Sequence, residues 1–191
     1  MITMTEVVNY YASAAYNDHP DRRDKRFGYA GIGLYCPVIP NLNYQYRVSQ
    51  LEDCGENMQT PLRAKIWSVV KGMEILIDFL KNQSFSDVSF VLICDDLTTV
   101  KLILEYGPSY IDRYGNDPSD WVNSKGLPLQ DAYLIDRAMD LHSELMYLVD
   151  ENDLESFELT YRRKDFDASG PSTAWDWAQE AANDEENCAY W

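Results

Sequence analysis

The sequence predicts an α/β protein whose sheet opens as a three-stranded antiparallel meander and is completed by strands that require crossover connections. Three observations carry this. The stretch Val88 to Leu104 reads VSFVLICDDLTTVKLIL, and its Val88, Phe90, Val91, Leu92 and Ile93 make an apolar run too continuous to alternate. Such a run is a strand buried on both faces, the state of an inner strand in an α/β sheet. From Thr60 to Lys81 the period changes, and Ile66, Val69, Val70, Met73, Leu76, Ile77 and Leu80 fall on one helical stripe. Ahead of that stripe lie three β-like segments joined by short connections, which pair as a meander.

In chain order, Val7 to Tyr16 (VVNYYASAAY) is strand-like, with Val8, Tyr10 and Ala12 on one face. Asn17 to Arg26 (NDHPDRRDKR) is wholly polar and reads as a surface loop. Phe27 to Cys36 (FGYAGIGLYC) mixes small and apolar residues, as in a strand that crosses closely under other backbone. Pro37 and Pro40 end it, and Asn41 to Leu51 alternates as a half-exposed strand. Thr60 and Pro61 suit the N-cap and first position of the long helix. After the apolar run, Asp95 and Asp96 stop the strand, and either can cap the next helix. Asp95 also stands beyond the carboxyl end of a strand, where open α/β sheets place ligands. That helix is expected to end near Gly107-Pro108, and Tyr110 to Gly126 to be a long surface excursion without periodicity. Leu129 to Leu148 follows as a second long helix, Phe157 to Tyr161 as a last strand, and Thr173 to Ala182 as a last helix after a Gly170-Pro171 turn. Residues 1–182 thus form one domain, and 183–191 (NDEENCAYW) an acidic, aromatic tail.

Composition narrows the partners. Sixteen basic against 32 acidic side chains give a net charge of −16. Such a surface repels phosphate backbones, so nucleic-acid binding is expected to be weak at physiological salt, while a basic protein partner is favoured. The four cysteines are scattered without a CxxC pair, which argues against a zinc site. Cys94 sits inside the apolar run as a small apolar filler. With no signal peptide and no apolar segment of spanning length, the protein is expected to be soluble and intracellular, in nucleus or cytoplasm, with no membrane partner.

The order of elements and several motifs resemble the ribonuclease H type 1 family over nearly the whole chain. YYASAAYND lies where the family has Y-T-D-G-S followed by Asn, and AGIGLY at Ala30 to Tyr35 matches A-G-x-G-V-Y. TPLRAKIWSVVKGMEIL matches T-N-N-R-A-E-L-x-A-V-I-x-A-L-E, and LICDDLTTVKLI matches I-x-T-D-S-x-Y-V-V-x-x-I. Tyr110 to Leu134 is similar to the substrate-handling segment, and WDWAQEA to the terminal A-D-x-L-A helix. The resemblance implies a five-stranded mixed sheet, three antiparallel strands then two parallel, with helices on both faces. It also implies hydrolysis of the RNA strand of an RNA–DNA hybrid by two magnesium ions held on clustered carboxylates.

Carried over residue by residue, the carboxylate of the fourth strand is Asp95 and that of the last helix is Asp176. The first-strand aspartate falls on Ala12, the helix glutamate on Lys65, and the family's mobile histidine at or near Phe166. Magnesium needs oxygen ligands, and two ions cannot be held with half the carboxylates gone. Lys65 is expected to pair with Asp95 or Asp176 and neutralise the site without a metal. The expected function is therefore that of an inactive RNase H-like protein serving as a protein-interaction or scaffold module, without cofactor. Magnesium enters only if residual activity survives on Asp95 and Asp176. A non-cleaving hybrid or RNA binder is the alternative, with Trp121, Gln130, Arg162 and Arg163 as binding residues. Trp121 is either a stacking platform or a packed loop anchor. Trp175 and Trp177 can pack the last helix on the sheet, whereas Tyr190 and Trp191 either dock back or enter a partner.

Overall fold

The computed structural model describes residues 6–18, 28–51, 59–83, 85–152, 154–163 and 169–188. Three strands open the chain: β1 (Glu6–Asp18), β2 (Gly28–Tyr35) and β3 (Tyr44–Arg47). Helix α1 (Pro61–Asn82) follows, then β4 (Val88–Cys94) and a short α2 (Leu97–Lys101). One π turn over Leu102–Tyr106 leads into α3 (Gly107–Tyr114), after which come α4 (Ala132–Glu151), β5 (Ser156–Tyr161) and α5 (Ser169–Cys188). The five strands lie in the order β3-β2-β1-β4-β5. Pairs β1–β2 and β2–β3 are antiparallel, and β1–β4 and β4–β5 are parallel. The mixed sheet expected from the sequence is the one found.

Alternation along the strands separates two layers. Val8, Tyr10, Ala12 and Ala14 of β1, Ala30, Ile32 and Leu34 of β2, and Phe90, Leu92 and Cys94 of β4 join the main core. Ile66, Val69, Val70, Met73 and Leu76 of α1 and Leu134, Ile135, Ala138 and Leu145 of α4 close it from one side. Ala15 of β1 packs instead with Ala178 and Ala182 of α5 on the other side. That second contact is close because β2 presents Gly31 and Gly33 to the helix. A methyl group at Gly31 would strike the backbone of Ala178 and Ala182, and one at Gly33 the backbone of Ala174. The small-residue strand thus lies directly beneath helix backbone, as its composition predicts.

Thr60 caps α1, its side chain accepting from the Arg63 N–H at 3.1 Å, with Pro61 in the first turn. Across the outer helix pair, Arg63 meets Asp131 at 2.6 Å, Lys81 meets Glu144 at 2.6 Å, and Arg137 meets Glu74. Asp131 is the buried member, in the left-handed region at φ 59° as α4 begins.

Three expectations change. Asn41 to Leu51 holds only a four-residue strand between two 3-10 turns. The helix after β4 does not stop at Gly107-Pro108. The π turn resets the hydrogen-bond ladder, and Pro108 enters α3 in its first turn, where its missing N–H costs nothing. Likewise Gly170-Pro171 is no turn before the last helix but lies within the first turn of α5, which continues to Cys188. Tyr190 and Trp191 fall outside the described residues.

Candidate functional site

The carboxyl end of β4 is where the chemistry-bearing side chains converge. Parallel pairing sets Ala12 opposite Cys94, which brings the next residues, Ser13 and Asp95, side by side. Ser13 Oγ donates to Asp95 Oδ2 at 2.6 Å. Ser13 is 1% exposed and faces away from the main core, whereas Ala12 is one of the core residues. The first-strand position that touches Asp95 is therefore Ser13 and not Ala12, because alternation turns Ala12 inward beneath α1.

Asp96, one residue on, points to the opposite face and starts α2. Its Oδ2 accepts from the Thr99 N–H and the Thr99 hydroxyl, both at 2.8 Å. Its Oδ1 accepts from Lys65 Nζ at 3.0 Å. Lys65 thus pairs with Asp96, neither with Asp95 nor with Asp176, since α1 lies on the face that Asp96 occupies. Burial pushes the Asp96 carboxyl up, but the Lys65 and Thr99 hydrogen bonds outweigh it and hold it below the usual aspartate value. For Lys65, burial pulls the ammonium down while the bond to Asp96 and the charges of Asp96 and Asp95 carry it above ordinary lysine. Beneath them, burial pushes the Cys94 thiol up to about 12. Asp96 N–H donates to Cys94 Sγ at 3.4 Å, which fixes the turn between strand and helix.

Asp176 lies exposed on α5, and no hydrogen bond or ion pair among the described residues joins it to Asp95, Asp96 or Lys65. Among the described residues no group of three or more His, Cys, Asp or Glu side chains is placed to hold a metal ion. Phe166 lies outside the described residues. Arg162 and Arg163 are exposed. The Arg162 N–H donates to the Cys94 carbonyl at 3.0 Å, so the basic pair sits at the same end of the sheet as Asp95.

The excursion after α2 is more ordered than its composition suggests. Trp121 is fully buried, stacks on Tyr110 with ring centroids 5.6 Å apart, and donates its indole N–H to the Gly115 carbonyl at 2.9 Å. It is the loop anchor, and its ring is not available for stacking a base. Leu129 N–H donates to the Trp121 carbonyl and Asn123 N–H to the Leu127 carbonyl, both at 2.8 Å, folding the segment back on itself. Beside it, Tyr106, Tyr110, Arg113, Tyr114 and Asn123 line a cleft of about 260 Å³. Gln130 is exposed. On α5, Trp177 meets the Tyr35 ring edge-on at 5.5 Å, so this tryptophan packs the helix onto the sheet.

No protein-family model matches the chain, and no curated protein matches it in sequence. Solved structures do. The foamy viral protease-reverse transcriptase in complex with RNA/DNA hybrid superposes with a TM-score of 0.58 at 15% identity, over 95% of this chain and 21% of that one. The same viral protein in complex with dsDNA gives 0.57 at 15% identity, over 95% of this chain and 98% of that one. The PFV RNase H domain gives 0.55 at 14% identity, over 92% of this chain and 94% of that one. The chain therefore has an RNase H-like fold. It spans about a fifth of the longer viral protein.

Proposed function

We propose that this chain is an RNase H-like protein that does not cleave nucleic acid and acts as a protein-interaction module with a basic partner. The observation that carries the reading is the Lys65–Asp96 ion pair at 3.0 Å beside the Ser13–Asp95 hydrogen bond at 2.6 Å. A pair of magnesium ions does not fit these residues. Each ion needs several hard oxygen ligands, and most of their charge must come from carboxylates. Here the first-strand position offers a hydroxyl already donating to Asp95, and the α1 position offers an ammonium. A dication brought to this spot would meet the Lys65 charge at close range. The Lys65 ammonium offsets one of the two carboxylates and the Ser13 hydroxyl solvates the other, which supports a strand end that holds together without an ion.

A second reading, a non-cleaving binder of RNA–DNA hybrid, is favoured by two features. Arg162 and Arg163 lie exposed at the same end of the sheet, and Arg113 lines an aromatic cleft. The net charge of −16 opposes it, because phosphate neutralisation dominates such affinity. A residual nuclease would need Asp176 to join Asp95 around a single ion.

One titration separates the three. Labelled hybrid is mixed with the protein in Mg²⁺ and then Mn²⁺, and binding and strand scission are read together. The proposal expects neither. Binding without scission, weakened by changing Arg162 and Arg163 to alanine, would establish the second reading. Scission lost in Asp95→Asn would establish the third.

A further inference from the structure

We infer that the cleft between β3 and the C-terminal half of α1 is a binding site for a lysine or arginine side chain of a basic protein segment. The inference rests on the interaction-module reading and gives it a place. β3 is the end strand of the sheet, paired only with β2 among the described residues. Its register sets Tyr46 opposite Ile32 and Tyr44 opposite Leu34, both core residues, so both tyrosines lean toward α1. Their rings stack with centroids 5.9 Å apart and an interplanar angle of 11°. Across from them, Asp78 and Phe79 of α1 complete a cleft of about 420 Å³, with Asn82 and Gln83 at one end.

The chemistry of this lining selects a cation. Tyr44, Tyr46 and Phe79 line the cleft with aromatic rings, the two tyrosines add phenol oxygens, and such rings attract an ammonium or guanidinium. Tyr46 already does so within the chain, with Lys71 Nζ 6.0 Å from its ring centroid. Lys71 is itself held by Glu74 at 2.6 Å. Asp78, in contrast, is exposed, and it is the one charged residue lining the cleft. No ion pair among the described residues engages its carboxylate. An anion beside three aromatic rings fits a side chain with an apolar stem and a cationic head. A protein segment suits the place better than a free cation, because one side chain can bring both an apolar stem to the rings and a cationic head to Asp78. The acidic surface favours the same partner at long range.

The test is a nuclear magnetic resonance titration with short amidated peptides that carry one central lysine, arginine, acetyl-lysine or norleucine. The lysine and arginine peptides are expected to shift the amides of Tyr44 to Arg47 and Ile75 to Gln83, and the acetyl-lysine and norleucine peptides to bind about fivefold more weakly or worse. Asp78→Asn and Tyr44→Ala should each weaken the lysine peptide by a similar factor. Both residues are exposed, so both variants fold. Asp112→Asn, an exposed carboxylate on α3 outside the cleft, should leave binding unchanged. Equal binding of norleucine, equal weakening by Asp112→Asn and Asp78→Asn, shifts confined to other elements, or spermidine binding as tightly as the peptide would each overturn the inference. The hybrid titration tests the interaction-module reading by itself, so silence in both experiments removes this cleft without restoring a nuclease.

Discussion

Changing Lys65 to glutamate should make the carboxyl end of β4 respond to magnesium. Lys65 Nζ lies 3.0 Å from Asp96, and the two side chains are 32% and 19% exposed. At that separation and an effective dielectric near 20, the gross attraction is on the order of 5 kcal/mol. Desolvation and partial exposure consume most of it and leave a net contribution of about 1 kcal/mol. Lys65→Glu removes that contribution and adds repulsion of similar size against Asp96, for a total cost of about 2 kcal/mol without a divalent ion. A dication bound between the introduced carboxylate and Asp96 would return part of it. With a dissociation constant of about 1 mM and roughly 10 mM Mg²⁺, linkage gives back about 1.4 kcal/mol. In a chain of this size that is a rise in Tm of roughly 3–5 °C. The assay is calorimetry of wild type and variant in MgCl2 against NaCl of equal ionic strength. The wild type should not respond. An equal Mg²⁺ response in both proteins, or a variant as stable as wild type without the ion, would refute the idea that Lys65 stands in for the metal charge.

Other outcomes follow from the same geometry. Because Asp96 is held below the ordinary aspartate value of 3.8, its ionised form contributes stability that is present above that value and lost as pH falls through its folded-state value. Asp96→Asn keeps a capping oxygen but loses Lys65, so it should cost about 1 kcal/mol at neutral pH. That deficit should shrink in urea melts below pH 3.8, and a deficit unchanged at acid pH would contradict the assignment. Gly33→Val should cost about 3 kcal/mol, because the side chain would enter α5 backbone at Ala174 and the helix must lift. Denaturant midpoints check it, and a near-neutral effect would mean that α5 is not seated on β2. Trp121→Ala should cost about 3–5 kcal/mol as a buried anchor, again read from denaturant midpoints. If it weakened ligand binding instead, with stability untouched, the anchor role would fail.

What can be read from the sequence divides by period. Strands and the long helices are legible because burial imposes a repeat of 2 or 3.6 on their side chains, and AGIGLY announces a strand pressed under a helix. The segment from Gly107 to Gly126 is not, since it is organised by one tryptophan stacked on Tyr110 and hydrogen-bonded to a backbone carbonyl, which leaves no periodic trace. At the site, the signal for Ser13 is present. With Val8, Tyr10 and Ala12 on one face, the residue beside Asp95 has to come from the other. Which of two adjacent aspartates meets Lys65 cannot be read, because neighbouring residues at a strand end face opposite sides and only the register decides. The Arg63–Asp131 pair escapes sequence reasoning for a similar reason. Its members lie far apart in the chain, and a buried aspartate next to a helix start looks like any N-cap.

On the proposed reading, the hydroxyl of Ser13 and the ammonium of Lys65 act together. A carboxylate cluster built for two dications is self-repelling once the ions are absent, since like charges at short range raise one another's energy. Losing one carboxylate would leave that repulsion largely in place and the site still dependent on metal. Here the strand position supplies a neutral donor and the helix position a cation, so Ser13, Lys65, Asp95 and Asp96 carry one net negative charge between them. The polar contacts described at the strand end serve that balance: the hydroxyl on Asp95, the ammonium on Asp96, and Thr99 closing the helix cap. With that repulsion reduced, the strand end needs no ion on the proposed reading, and the acidic surface is left to meet a basic partner.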